Sequence, residues 1–204
     1  DIWRFALGVS SVTLLATLLT QLDKLLLSKL LSLEDFGYYV FASTAAAVIF
    51  KVNGPLFNAF LPRFVQLFSA KNEVDLALAY RNGCQLASLV IVPISCVLAF
   101  FSSSILLLWT HDPQLVSNSA FVFSLLVIGN ALNGLMALPY ALQLASGWTR
   151  LAFYQNLLLV VFFAPAVYFL STQWGGVGAA GAWVVMNFLA MVFGIQFMHA
   201  RLVR

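Results

Sequence analysis

Apolar residues run through this chain in long blocks, separated by short polar clusters, and the blocks repeat at bilayer length. About 20 predominantly apolar residues of helix cross a hydrocarbon core. Six segments reach that length: approximately 5–31, 35–61, 83–109, 116–145, 149–171 and 176–201. Several are longer, so tilt or protrusion is expected. The links are short except for 62–82. There Lys71-Asn72-Glu73 reads as a turn, with Asn72 placed to cap a new helix and Asp75 three residues on. Phe64, Leu67 and Phe68, then Val74 and Leu78, keep helical spacing on either side. The pattern predicts two helix extensions meeting at a turn on the membrane surface. The expected fold is an all-α membrane protein, a single six-helix transmembrane bundle over residues 1–204.

Composition strengthens that expectation. Hydrophobic residues make up 62% and charged residues 8%, against about 25% charged in soluble domains. The formal net charge of +3 is small and dispersed, which argues against a nucleic-acid partner. The opening Asp1-Ile2-Trp3-Arg4 shows no methionine and no signal-peptide pattern, so the chain reads as a later part of a longer one. Cys84 and Cys96 fall on one predicted helix, separated by roughly 18 Å of helical rise, too far for a disulfide. His111 and His199 are far apart, and no metal-ligand spacing exists. Gly176-Val177-Gly178-Ala179-Ala180-Gly181 follows no strand, so it reads as a stripe for close helix approach rather than a phosphate loop. No cofactor is expected.

The basic residues orient the segments. Arg4, Arg63, Lys71, Arg81, Arg150, Arg201 and Arg204 fall on one side, and only Lys29 on the other. The positive-inside rule then places both ends and the 62–82 link in the cytoplasm. Glu34, Asp35, His111 and Asp112 fall outside. Trp3 and Trp148 mark the inner interface, and Trp109 and Trp174 the outer.

Three charges remain inside the apolar blocks: Asp23, Lys24 and Lys51. A charge at the bilayer centre costs about 2.5–3.5 kcal/mol on insertion scales, so such groups face protein or water. At 100° per residue, Thr13, Thr17, Thr20, Lys24 and Ser28 share about 80° of arc. Thr44, Lys51 and Asn58 repeat every seven residues, with Gly54 and Pro55 on the same face. Asn130, Asn133, Tyr140 and Gln143 share about 140° of arc, near Gly134 and Pro139. The expectation is a hydrated lumen lined by Lys24, Lys51, Asn130, Asn133, Tyr140 and Gln143. Gly54, Pro55 and Pro139 would be hinges. The same amides and threonines also fit plain interhelical bonding. Asp23 lies off the stripe. It reads either as an ion-coupling carboxylate or as half of a structural pair, with Lys24 or with a residue beyond this chain.

The residues Leu33-Glu34-Asp35-Phe36-Gly37-Tyr38-Tyr39 and Pro55-Leu56-Phe57-Asn58-Ala59-Phe60-Leu61-Pro62-Arg63 carry a resemblance. So do Pro139-Tyr140-Ala141-Leu142-Gln143 through Arg150, and Gly178-Ala179-Ala180-Gly181-Ala182-Trp183 with Asn187. In order and spacing the chain resembles the second half of Wzx-type polysaccharide or O-antigen flippases, in the MOP exporter superfamily. That resemblance implies the C-terminal lobe of a MATE-like two-lobe transporter. It also implies alternating access and a bacterial inner-membrane location. The implied partners are a lipid-linked oligosaccharide on undecaprenyl diphosphate, membrane lipid and a missing N-terminal half. Two alternatives stay open. A MATE-like multidrug or cation antiporter would favour acidic groups over the two lysines. A polysaccharide polymerase or ligase would need catalytic groups on the outer face, where the links are short. The expectation is a transporter, not an enzyme, with no catalytic residues.

Overall fold

In the computed structural model the backbone is described from residue 2 to residue 202. Side chains are described except at 1–9, 11, 12, 16, 149–152, 195 and 197–204. The side chains of Trp3, Arg4, Arg150, Arg201 and Arg204, which bear on orientation, lie outside those described. The helical segments are α1 (Ile2–Leu30), α2 (Leu33–Ala46), α3 (Val48–Ser69) and α4 (Glu73–Phe100), then α5 (Ser102–Thr110), α6 (Pro113–Leu135), α7 (Ala137–Ala145) and α8 (Thr149–Leu202). No strand occurs among the described residues.

Single irregular residues join α2 to α3 at Ala47, α4 to α5 at Phe101 and α6 to α7 at Met136. Each pair makes one bent rod. α8 does the opposite and folds back on itself at Gly175, whose φ of 56° and ψ of −137° suit a residue without Cβ. In a straight helix Phe163 and Trp183 would lie about 30 Å apart, yet their rings meet at 5.5 Å. The crossing is close because Gly178 lies against the backbone of Leu170, where a Cβ would come 2.1 Å from the carbonyl oxygen. Ala179, Ala180 and Ala182 are buried beside it. The small-residue stripe therefore packs the two limbs of a hairpin.

Corners are set by local chemistry. Ser32 caps α2 by accepting from Asp35 N–H at 3.1 Å, while its hydroxyl donates to the Asp35 carboxylate at 2.7 Å. Asp112 caps α6 by accepting from the N–H groups of Gln114 and Leu115, with Pro113 at the first helical position. Asn72 accepts from Asp75 N–H and donates to the Asp75 carboxylate, as the spacing suggested. The 62–82 link is helical on both sides of a turn at residues 70–72.

α6 is the hub. It packs on α2, α4, α5 and α8 and buries a face from Val116 to Gly134, including Phe123, Leu126 and Val127. The outer rods instead leave large apolar side chains exposed, among them Leu89, Phe100, Leu108 and Phe169. Leu33–Ser69, Glu73–Phe100, Pro113–Ala145 and the folded Phe153–Gly194 are each long and apolar enough to cross a membrane. Apolar surface turned outward from a polar-seamed interior is the inverse of a soluble bundle. This is an all-α membrane protein.

Candidate functional site

Polar side chains inside such a bundle are costly unless bonded, so their bonding sorts them. One group forms a continuous ladder. Phe50 N–H bonds to the carbonyl of Ala47 at 3.0 Å, and the bend thereby releases the Ala46 carbonyl from the helix. Asn130 Nδ2 donates to that carbonyl at 3.0 Å, and Asn130 Oδ1 accepts from Trp183 Nε1 at 2.9 Å. The Trp183 carbonyl accepts from Asn187 Nδ2 at 2.8 Å, and Asn187 Oδ1 from Asn133 Nδ2 at 2.9 Å. Four side chains thus tie the α2–α3 bend, α6 and the second limb of α8. Gly129 makes room for it, since a Cβ there would lie 2.3 Å from the Trp183 ring.

A second group lines a cleft of about 570 Å³. α1 contributes Thr13, Thr17 and Thr20; α3 contributes Asn53, Asn58 and Phe57. Asn133 of α6, with Tyr140 and Gln143 of α7, forms another wall, and α8 adds Gln155, Asn156 and Asn187. The threonine hydroxyls of α1 are partly spent on their own helix: Thr17 donates to Thr13 O and Thr20 to Thr17 O. Phe57 stacks on Tyr140 at 6.0 Å. Among the described residues, none that lines the cleft is charged.

Two of the cleft amides are buried without using their oxygens. Asn53 is 8% exposed and Gln143 1% exposed, and neither Asn53 Oδ1 nor Gln143 Oε1 has a hydrogen-bond partner. A buried unpartnered acceptor costs about 1–3 kcal/mol. Asn53 reaches its position over Gly134, where a Cβ would come 2.3 Å from its amide nitrogen.

A smaller recess of about 320 Å³ adjoins the cleft and shares Leu19, Thr20 and Phe50 with it. Asp23, Lys24, Ser43 and Asn130 line it. Tyr39 Oη donates to Asp23 Oδ2 at 2.5 Å, while Asp23 Oδ1 is buried and unpartnered. Among the described residues the hydrogen-bond partner of Asp23 is Tyr39, which adjacency in sequence does not announce.

The sequence-derived lumen residues divide accordingly. Asn133, Tyr140 and Gln143 line the cleft; Lys24 and Asn130 line the smaller recess. Lys51 is exposed and lines neither, so the two lysines share no cavity among the described residues. Met136 interrupts the helix between Asn133 and Tyr140, yet both line the cleft, whereas Asn130 is engaged by the Ala46 carbonyl and Trp183. Gly54 lines the cleft, and α3 continues unbroken through Pro55. Pro139 falls in the first turn of α7, just after that bend. Asn53, Gln155, Asn156 and Asn187 were not picked out as site residues. Any amide within an apolar segment is a signal for a polar interior, but following the lysine heptad of α3 led past Asn53. Among the described residues, no three His, Cys, Asp or Glu side chains converge on a metal site.

Comparison with known proteins gives two matches. The family model described as "Polysaccharide biosynthesis protein" matches residues 1–111. A Shigella flexneri protein provisionally named as an O-antigen transporter is 21% identical over 191 residues, 93% of this chain and 44% of that protein. The chain thus spans less than half the length of this relative. No solved structure matches the chain.

Proposed function

This chain belongs to the polysaccharide biosynthesis protein family, and from that premise we propose that it forms one lobe of a flippase for lipid-linked oligosaccharide. The proposed lobe is the C-terminal one, in a bacterial inner membrane with both ends cytoplasmic. The observation that carries the reading is the cleft. Amides, threonines and a stacked Phe57–Tyr140 pair offer hydrogen bonds and flat apolar faces to a sugar, inside a protein otherwise turned toward lipid. A pocket of this size lies within the usual range for small-molecule sites, about 300–1,000 Å³.

In this reading the other half of the transporter closes the cleft, and the two lobes rock around it in alternating access. Sites built between repeats are the rule in such transporters. Lys24, in the adjoining recess, and Lys51, exposed on the Asn58 face of α3, supply positive potential to the diphosphate, apart from the sugar-facing amides. Lysine suits a wet site as a compact, hydrated cation. Gly54, Pro55 and Pro139 lie where the rods bend during rocking. Asp23, held by Tyr39 with one oxygen unpartnered, is the candidate for ion coupling.

The competing readings gain little support. Among the described residues no acidic side chain lines the cleft to favour a cationic drug. Asp35 and Asp112, on the outer face by the charge argument, are engaged as helix-capping groups rather than free for catalysis.

The test is complementation of a strain lacking its O-antigen flippase with the full-length gene that carries this sequence. Surface polysaccharide should return. The Lys24→Ala, Lys51→Ala double variant should lower it at least tenfold at wild-type protein level. Normal polysaccharide in the double variant would remove the cationic role, and no restoration by the parent would remove the flippase reading.

A further inference from the structure

Asn53 and Gln143 make an unusual pair. Both are more than nine-tenths buried, both line the cleft, and both leave an amide oxygen without a donor. They come from different rods, α3 and α7, which pack directly on each other. Of the other buried amides, Asn130 and Asn187 are already engaged in the ladder, together with half-buried Asn133. Two of the buried unpartnered acceptors thus belong to residues lining one cavity, while Ser95 and Ser171, whose hydroxyls are also unpartnered, line neither recess.

What satisfies a buried acceptor is a donor. A sugar hydroxyl donates, and so does the N–H of an acetamido group. An ionised carboxylate or phosphate only accepts, so it would face two amide oxygens that cannot bond to it. Among the described residues no cationic side chain lines the cleft to offset that anion. An ammonium group could donate, but among the described residues no carboxylate lines the cleft to compensate its desolvation. The Phe57–Tyr140 stack adds apolar surface at the same cleft, which suits the C–H face of an uncharged ring.

We infer that this cleft takes the neutral, hydroxyl- or acetamido-bearing rings of the cargo, with Asn53 and Gln143 accepting their hydrogen bonds, and discriminates against acidic sugars. The inference rests on the transporter reading above and assigns the substrate class of the same site. Asn53 and Gln143 act as specificity residues. Gly134 positions Asn53 by leaving the space its amide occupies.

The experiment uses the full-length transporter that carries this sequence, in cells lacking their own flippase. Two lipid-linked repeat units are supplied, one of neutral hexose and N-acetylhexosamine, the other identical except for one hexuronate. The parent should export the neutral unit at least tenfold better than the acidic one. Asn53→Leu and Gln143→Leu should each lower neutral export about tenfold, with membrane protein levels and thermal stability at or above the parent's. A merely structural role would instead lower stability together with export. Equal export of both units, or unchanged neutral export in both variants, would overturn the inference while leaving the transporter reading intact. Failure to export either unit would overturn both.

Discussion

The two recesses meet at Leu19, Thr20 and Phe50, and their buried amides are used differently, although Asp23 Oδ1 in the smaller one is unpartnered and the ladder's Asn133 and Asn187 reach the larger. The smaller one is backed by the ladder, where Asn130 and Trp183 use their hydrogen-bonding groups on each other and on a carbonyl freed by the α2–α3 bend. The larger one keeps Asn53 and Gln143 unpaired at its lining. An amide in an apolar helix thus has two distinct uses. Paired in full, it fixes how rods pack and specifies one arrangement. Unpaired but cleft-lining, it stores binding capacity at a cost to stability. The residue type is the same in both regions; the partner decides the role.

That contrast can be broken at several strengths. Trp183→Ala should have the largest effect. It removes the ring packed edge-on against Phe163 and the donor to Asn130, and should cost about 3–5 kcal/mol by analogy with large-to-small core substitutions. Thermal unfolding in detergent measures it; a melting temperature within a degree or two of the parent's would show that the ladder does not hold the rods together. Tyr39→Phe comes next. It leaves the Asp23 carboxyl buried with neither oxygen bonded to Tyr39, at about 1–3 kcal/mol. An equally stable Phe variant, on the same unfolding measurement, would mean that water or another group already serves Asp23.

The finest test sets two glycines of α6 against each other. Gly129→Ala pushes a Cβ into the Trp183 ring, which is pinned by Phe163 and Asn130. It should destabilise by about 1–3 kcal/mol, as overpacking does. Gly134→Ala meets only the far end of Asn53, a side chain with no bond to lose. It should cost less than about 1 kcal/mol while impairing function through the displaced amide. Equal destabilisation by both would erase the distinction between a paired and an unpaired region.

Much of the architecture is legible in the chain itself, because it rests on local or one-dimensional signals. Length and continuity of the apolar blocks specify membrane-spanning helices. Ser32, Asn72 and Asp112 specify where helices start, since each needs only a donor two or three residues away. Gly175 and the small residues after it mark a fold-back in α8 for the same reason: only a residue lacking Cβ tolerates that φ and that contact. The polar stripes were legible too, as a set of amides and threonines placed in apolar helices.

Which of those groups share a cavity was decided only by tertiary structure. Helical phase is reliable along a straight rod, but the bends at Ala47 and Met136 break it, and nothing in Ala45-Ala46-Ala47-Val48 announces the first. The bend is met by Asn130, whose amide takes up the freed carbonyl from a helix 84 residues away in sequence. Likewise Tyr39 claims Asp23 from the next rod, and Asn53 lies across a glycine of α6. Charge in an apolar segment shows that a polar interior must exist. Long-range hydrogen bonds, which depend on how rods cross, decide which groups are spent on the fold and which remain for a ligand.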